Sequence, residues 1–135
     1  MNSTSLREFP APVPNIETQA FWDAAKEGRL LIKHCTRCEK PHWYPREICP
    51  FCYSGKTLWK QASGKGTIYT YSVMRRAAVP FVTAYVTLEE GPTLLTNIVD
   101  CNFAKLAFDL PVEVCFKPTQ SEDLFVPVFR PSTKE

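Results

Sequence analysis

Four of the six cysteines in this 135-residue sequence fall into two CxxC pairs. They are Cys35, Cys38, Cys49 and Cys52. Each CxxC forms a tight turn that directs two sulfurs toward one point, and two such turns can complete a tetrahedral site of four thiolates. A site filled by four sulfurs has no open position, so it is structural and does not activate water. The spacing therefore predicts one structural zinc per chain, with iron as the alternative because it accepts the same geometry.

Other uses of these sulfur and imidazole groups fit the pattern less well. Redox motifs use a single CxxC near a βαβ unit, and two pairs ten residues apart do not match that arrangement. His34 and His42 lie close by, but four cysteines already fill a closed site. Cys101 and Cys115 stand in apolar surroundings without a CxxC partner, which predicts buried, inert thiols.

Composition and charge restrict the function classes. The net charge is +2, and four thiolates around one divalent metal would bring it close to zero. A nearly neutral chain does not favour nucleic-acid binding, which depends on a clustered basic surface. No apolar run approaches the roughly 18 residues needed to span a membrane, and the first residues lack the apolar core of a signal peptide. We therefore expect a cytoplasmic protein with neither a membrane nor a nucleic-acid partner.

A helix is predicted before the cysteines, over residues 15–27. Asn15 can cap it, Gly28 can end it, and an apolar face follows at helical spacing. That face comprises Ile16, Ala20, Phe21 and Ala24. Such a face needs a partner surface, either on this chain or on another protein.

The remainder of the chain predicts a small, mainly β protein. A strand leads into the first CxxC, and a long strand follows the second, where Gly64 and Gly66 permit a bend. Two more strands, a short helical segment after Asp100 and two final strands complete the order, and Pro127 places the last strand at an edge or a bulge. That order matches a five-stranded OB-fold barrel. We divide the chain into an N-terminal segment and helix (1–28), a zinc ribbon (29–58) and an OB-fold domain (59–135).

Several segments together resemble the DUF35 family. They are FWDAAKEGRLLIKHCTRCEKPHWYPREICPFC, GKGTIYTYSV, EEGPTLLTNIVDC, LPVEVCF and FRP, in family order from residue 21 to residue 131. The resemblance implies a rubredoxin-like zinc ribbon, with the four paired cysteines as ligands, followed by an OB fold associated with acyl-CoA metabolism. It also implies a thiolase-like partner that carries the catalytic groups. Many members have a longer segment between the first two barrel strands, where this chain has only MRRAAVPF. Contacts that the longer loop makes in those members are therefore not carried over to this chain.

These observations predict a non-catalytic accessory subunit that shapes or completes the acyl-CoA site of a thiolase-like or acyltransferase complex. No catalytic triad, phosphate loop or paired-carboxylate motif is present in the sequence. Aromatic side chains of the helix and the ribbon hairpin are the candidate interface anchors. They are Phe21, Trp22, Trp43 and Tyr44.

Two alternatives remain open. In the first, the chain binds acyl-CoA by itself, with Arg75 and Arg76 meeting the nucleotide phosphates, although a short basic turn is common on any surface. In the second, the barrel binds nucleic acid and stacks bases on Tyr69, Tyr71 and Phe81.

Overall fold

A computed structural model describes residues 8–121 and 123–132. Residues 1–7, which belong to the predicted N-terminal segment (1–28), lie outside this range. The described chain contains one α-helix and eight strands, and a short 3-10 helix, Phe103–Lys105, precedes the seventh strand. They are α1 (Gln19–Lys26), β1 (Leu31–Cys35), β2 (Pro41–His42), β3 (Thr57–Gln61), β4 (Lys65–Met74), β5 (Phe81–Leu88), β6 (Thr93–Ile98), β7 (Pro111–Pro118) and β8 (Phe125–Pro131). None of the described helices combines the length and hydropathy needed to cross a bilayer.

The ribbon is a three-stranded antiparallel sheet in the order β2-β1-β3. Strand β1 pairs with β3 along its whole length, from Leu31 opposite Gln61 to Cys35 opposite Thr57. The boundary that we drew between residues 58 and 59 therefore falls inside β3. By its pairing, this strand belongs to the ribbon sheet.

The remaining five strands close into a barrel in the order β4-β5-β6-β8-β7. Together with the helical segment between β6 and β7, this order is the predicted OB fold. Strand β4 is long, and a register shift between Ile68 and Thr70 bends it so that it pairs with both β5 and β7. The predicted mainly β architecture, with an N-terminal helix, a cysteine ribbon and a five-stranded barrel, is confirmed.

The barrel closes only narrowly between β6 and β8. Between these parallel strands, Ile98 pairs with Phe129. The Val99 N–H donates to the Phe129 carbonyl at 2.8 Å. Residues two apart on a strand direct their backbone groups to the same side. Pro127, which has no N–H, therefore faces the gap beside β6, where no ladder bond is required of it.

Helix α1 begins at Gln19, not at Asn15 as predicted. The Asn15 carboxamide oxygen accepts from the Thr18 N–H at 3.0 Å, and the Thr18 hydroxyl accepts from the Asn15 N–H at 3.2 Å. This closed turn precedes the helix and leaves Ile16 with 99% of its surface exposed. The prediction of Ile16 and Ala20 on the buried face was therefore wrong, because the helical phase starts later. The buried face consists of Phe21, Trp22, Ala24 and Ala25.

The helix joins the ribbon to the barrel. It packs against β1 on one side and β8 on the other. The Phe21 ring lies 4.8 Å from the Trp22 ring and 5.0 Å from the Trp43 ring, measured between centroids. The side chains of the helix, the ribbon and the barrel interior thus form one continuous apolar core.

Candidate metal centre and adjoining cleft

The four paired cysteines converge at one end of the ribbon. Their sulfurs all lie within 4.8 Å of one another, with 3.6 Å between Cys35 and Cys52 and 3.7 Å between Cys38 and Cys49. Four sulfurs held about 2.3 Å from a tetrahedral zinc ion would be separated by about 3.8 Å. The side chains therefore fit a divalent metal with an all-sulfur ligand set. No other group of three or more potential ligands occurs within the described residues.

Two backbone turns of the same form hold these sulfurs. The Cys35 carbonyl accepts from the Glu39 N–H and the Cys49 carbonyl accepts from the Tyr53 N–H, each at 2.9 Å. Glu39 and Tyr53 both adopt φ 64°, in the left-handed region that glycine and asparagine occupy most readily. Because neither position carries such a residue, the sequence offered no signal for these two left-handed residues.

Backbone amides also favour the charged form of the sulfurs. The Cys38 N–H donates to the Cys35 sulfur, and the Phe51 N–H donates to the Cys49 sulfur, each at 3.4 Å. In the metal-free chain the Cys38 amide lowers the pKa of the Cys35 thiol to about 7, whereas burial raises the pKa of the Cys38 thiol to about 11. A bound cation would favour the thiolate at all four positions.

Two lysines near the sulfur cluster contact aromatic rings. Lys33 is buried, with 4% of its surface exposed, and its ammonium lies 4.4 Å from the Trp59 ring centroid and donates to the Thr57 hydroxyl. Lys40 lies over Phe51, 5.2 Å from its ring centroid. These contacts add cation–π attraction to any charge compensation of the thiolates.

Neither histidine belongs to the sulfur cluster. The His34 Nε2 atom lies 3.7 Å from a Glu39 carboxylate oxygen. His42 has 3% of its surface exposed, and neither ring nitrogen has a hydrogen-bond partner within the described chain. Burial lowers the pKa of His42, the nearby charges of Lys33 and Arg46 act in the same direction, and the Arg46 backbone opposes them.

The two cysteines without a CxxC partner lie in the barrel domain, outside the sulfur cluster. Cys101 is 5% exposed, and its sulfur lies 3.9 Å from the Ile98 carbonyl oxygen. Cys115 is partly buried, and burial raises the pKa of its thiol. These environments disfavour a thiolate nucleophile at either position.

A cleft of about 350 Å³ opens where the helix, the ribbon and the barrel meet. All four predicted anchors line it, and among them Tyr44 is 41% exposed. Phe21 reaches the same cleft from the core, with 1% of its surface exposed. The sequence pattern did not reveal the barrel side of the cleft. That side comprises Leu95, Thr96, Asn97, Val126, Pro127 and Val128.

The other predicted binding residues lie elsewhere. Arg75 and Arg76 are exposed in the turn between β4 and β5. Among the aromatics considered for base stacking, Tyr71 packs against the core and its hydroxyl donates to the Leu106 carbonyl, whereas Tyr69 is 69% exposed. The structure therefore does not expose these tyrosines as one stacking platform.

Comparison with protein families matches both halves of the chain. The profile described as "ChsH2, rubredoxin-like zinc ribbon domain" matches residues 22–57, and "ChsH2, C-terminal OB-fold domain" matches residues 59–117. The first covers all four clustered cysteines, so the cluster lies in a zinc-ribbon domain.

Curated relatives extend this similarity. A "DUF35 domain-containing scaffold protein" of Methanocaldococcus jannaschii is 37% identical over 105 residues, covering 71% of this chain and 74% of that protein. A "Probable enoyl-CoA hydratase alpha subunit" of Thermomonospora curvata is 33% identical over 131 residues, which cover 93% of this chain. The matched region spans only 41% of that hydratase subunit's length.

Solved structures agree with the fold. A chain of the "Ltp2-ChsH2(DUF35) aldolase" structure is 33% identical and superposes with a TM-score of 0.78, covering 89% of this chain and 98% of that one. A DUF35 protein of Sulfolobus solfataricus superposes with a TM-score of 0.64 over 87% of each chain. At 12% identity, this second similarity concerns the fold alone.

Proposed function

Because this chain belongs to the DUF35 family, we propose that it is a non-catalytic, zinc-binding accessory subunit of an enzyme complex that acts on acyl-CoA substrates. One zinc ion per chain would be held by Cys35, Cys38, Cys49 and Cys52. Its role is to stabilise the ribbon, since four thiolates leave no position for water or substrate. The bond chemistry then belongs to a partner enzyme.

The observation that carries this proposal is the similarity of nearly the whole chain to an enoyl-CoA hydratase alpha subunit and to a chain of an aldolase structure. The relative named as a hydratase alpha subunit matches over 93% of this chain, and the chain from the aldolase structure matches over 89%. The relatives named as scaffold proteins support a role without catalysis.

We propose a thiolase-like enzyme as the partner. The family resemblance favours it, and the names of two relatives, an enoyl-CoA hydratase alpha subunit and an aldolase, support an enzyme partner for related chains. A partner of either named class would fit the broader proposal equally well, so the catalytic class of the complex is the first property to measure.

Phe21, Trp22, Trp43 and Tyr44 remain the proposed contact region. Tyr44 and the exposed edges of Trp22 and Trp43 would meet the partner, and Phe21 would support them from beneath. Arg75 and Arg76 are candidates for the nucleotide phosphates of a shared acyl-CoA site, because guanidinium groups bind phosphate in a bidentate manner.

Co-expression with a thiolase-like protein from the same organism tests the proposal. We expect the two to co-elute in size-exclusion chromatography and the enzyme to lose activity when this chain is omitted. Separate elution, together with full activity of the enzyme alone, would defeat the proposal. Calorimetric titration of the isolated chain with an acyl-CoA would distinguish the stand-alone alternative, in which binding requires no partner.

A further inference from the structure

One wall of the barrel carries no charge; it is formed by the outward-facing side of β5, of β6 and of β4 beyond its first residue, the exposed Lys65. Residues 66–74, 81–88 and 93–98 contain no Asp, Glu, Lys, Arg or His. At the chain's own charged content of 22%, segments of this total length would hold about five charges. We call this surface the uncharged wall.

The outward side chains of the uncharged wall are apolar or hydroxyl-bearing, apart from the carboxamide of Asn97. Burial alternates along β5 and β6, so that Val82, Ala84 and Val86 face the core and their neighbours face outward. Tyr85 and Leu95 stand directly opposite each other and are 45% and 58% exposed. Together with the exposed Tyr69 and Met74, they give this surface the aromatic-rich, charge-depleted composition of a protein interface core.

The rest of the barrel surface differs. Arg130 of β8 pairs with Glu113 of β7 at 3.0 Å, and Lys117 of β7 pairs at 3.1 Å with Asp100, which follows β6. Charge is therefore absent from one wall, not from the whole barrel. At the wall's two ends, Arg75 and Arg76 follow β4, and Glu89 and Glu90 follow β5. A charged rim around an uncharged centre is the usual anatomy of a protein–protein interface.

The uncharged wall alone is smaller than the area that each partner buries in a stable interface, and the adjoining cleft extends it. Three strands about 4.8 Å apart and about seven residues long cover roughly 330 Å². A standard interface buries about 800 Å² on each partner. Leu95 belongs to both surfaces, because it also lines the cleft beside Trp22, Trp43 and Tyr44.

We infer that the uncharged wall and the cleft form one continuous docking face for the catalytic subunit of the complex, with Tyr85 and Leu95 at its centre. This inference rests on the proposed function and assigns it a location. The occupant is a protein surface that is itself poor in charge, since a charged surface would lose its water without gaining a partner here.

The ribbon tip is the main rival surface. Ile48, Phe51 and Tyr53 are exposed there, Tyr53 by 79%. Charged residues are interspersed among them, and the Lys40 ammonium covers the Phe51 ring. This mixture is ordinary for a solvated surface, whereas the uncharged wall has no such cover.

Matched charge substitutions separate the two surfaces. Tyr85→Glu and Leu95→Glu place a carboxylate on the wall, and Tyr53→Glu and Leu58→Glu place the same group on the ribbon at exposed positions. Each zinc-loaded, full-length variant is titrated against a purified thiolase-like protein from the same organism. Circular dichroism and metal content establish that each variant is folded.

We expect the wall variants to raise the dissociation constant at least about tenfold. The ribbon variants should stay within about twofold of the wild type.

If the wild type binds and the wall variants bind equally well, or the ribbon variants lose binding instead, the location is wrong and the proposed function stands. If the wild type does not bind, the proposed thiolase-like partner is wrong, and the inference falls with it. Sedimentation of the wild type alone completes the test. A monomer is expected, and a dimer that Leu95→Glu dissolves would assign the wall to a second copy of the chain and overturn the inference.

Discussion

Cys35 and Cys49 are fully buried, with 0% of their surfaces exposed, and each begins one of the two backbone turns of the metal centre. Because metal binding in such a site is part of the free energy of folding, losing one thiolate should cost several kcal/mol. We expect Cys49→Ser to lose most of its zinc and to unfold the ribbon, whereas Cys115→Ser keeps one zinc per chain.

Elemental analysis and amide NMR spectra measure both effects. Full metal content in Cys49→Ser, or no metal in freshly purified wild type, would contradict this prediction. Iron in place of zinc would change only the identity of the ion.

His42 is a buried imidazole without a hydrogen-bond partner in the described chain, and burial lowers its pKa below the usual 6.5. Above pH 6.5 it is neutral in both the folded and the unfolded states, so its contribution to stability is complete. Below that pH the unfolded chain takes up the proton first, and the free energy of unfolding falls until the lower pKa of the folded state is reached.

We therefore expect wild type to lose stability between pH 7 and pH 5 more steeply than His42→Gln, which does not titrate there. Urea unfolding of both zinc-loaded proteins at each pH measures the difference. Protonation of the metal-binding thiolates affects both proteins alike, so parallel stability curves would show that His42 does not contribute.

At the scale of the elements, β4 and β5 approach so closely at Gly66 that no side chain fits. A Cβ atom there would lie 2.5 Å from the Thr87 carbonyl oxygen, a backbone atom that cannot rotate away. We expect Gly66→Ala to destabilise the barrel by about 1–3 kcal/mol, the usual range for overpacking.

Gly55→Ala is the matched control for this change. Its Cβ would meet only the Ile48 side chain, at an ordinary 3.7 Å. We expect it to alter the free energy of unfolding by less than about 0.5 kcal/mol. Equal melting temperatures for the two variants would refute the proposed clash between β4 and β5.

For the whole molecule, no thiol offers an activated nucleophile. The clustered sulfurs are committed to the metal site, Cys101 is buried, and burial raises the pKa of Cys115. We therefore expect the purified chain to show no acyl transfer or thiolysis of an acyl-CoA in a spectrophotometric thiol assay. Turnover that disappears in Cys101→Ser or Cys115→Ser would reverse this conclusion.

The extent to which the sequence predicted this molecule depends on how local each signal is. The cysteine spacing predicts the sulfur cluster because each CxxC turn forms within a few residues. The start of the helix was misjudged because Asn15 and Thr18 bond to each other and close a turn ahead of it. The cleft was not predicted, since Phe9, Trp43 and Val126 meet only through tertiary packing. The charge-free strands were visible in the sequence, but only the barrel order makes them one surface.

The position of α1 has a consequence for how the chain folds during synthesis. The helix emerges from the ribosome early, yet one of the two strands that it packs against is β8, the last strand of the barrel. Until β8 is made, Phe21 and Trp22 lack part of their cover, and a nascent chain that exposes apolar side chains is prone to aggregation or chaperone capture. The ribbon can acquire its metal from residues 35–52 long before that, so zinc uptake is expected to precede docking of the helix on the barrel.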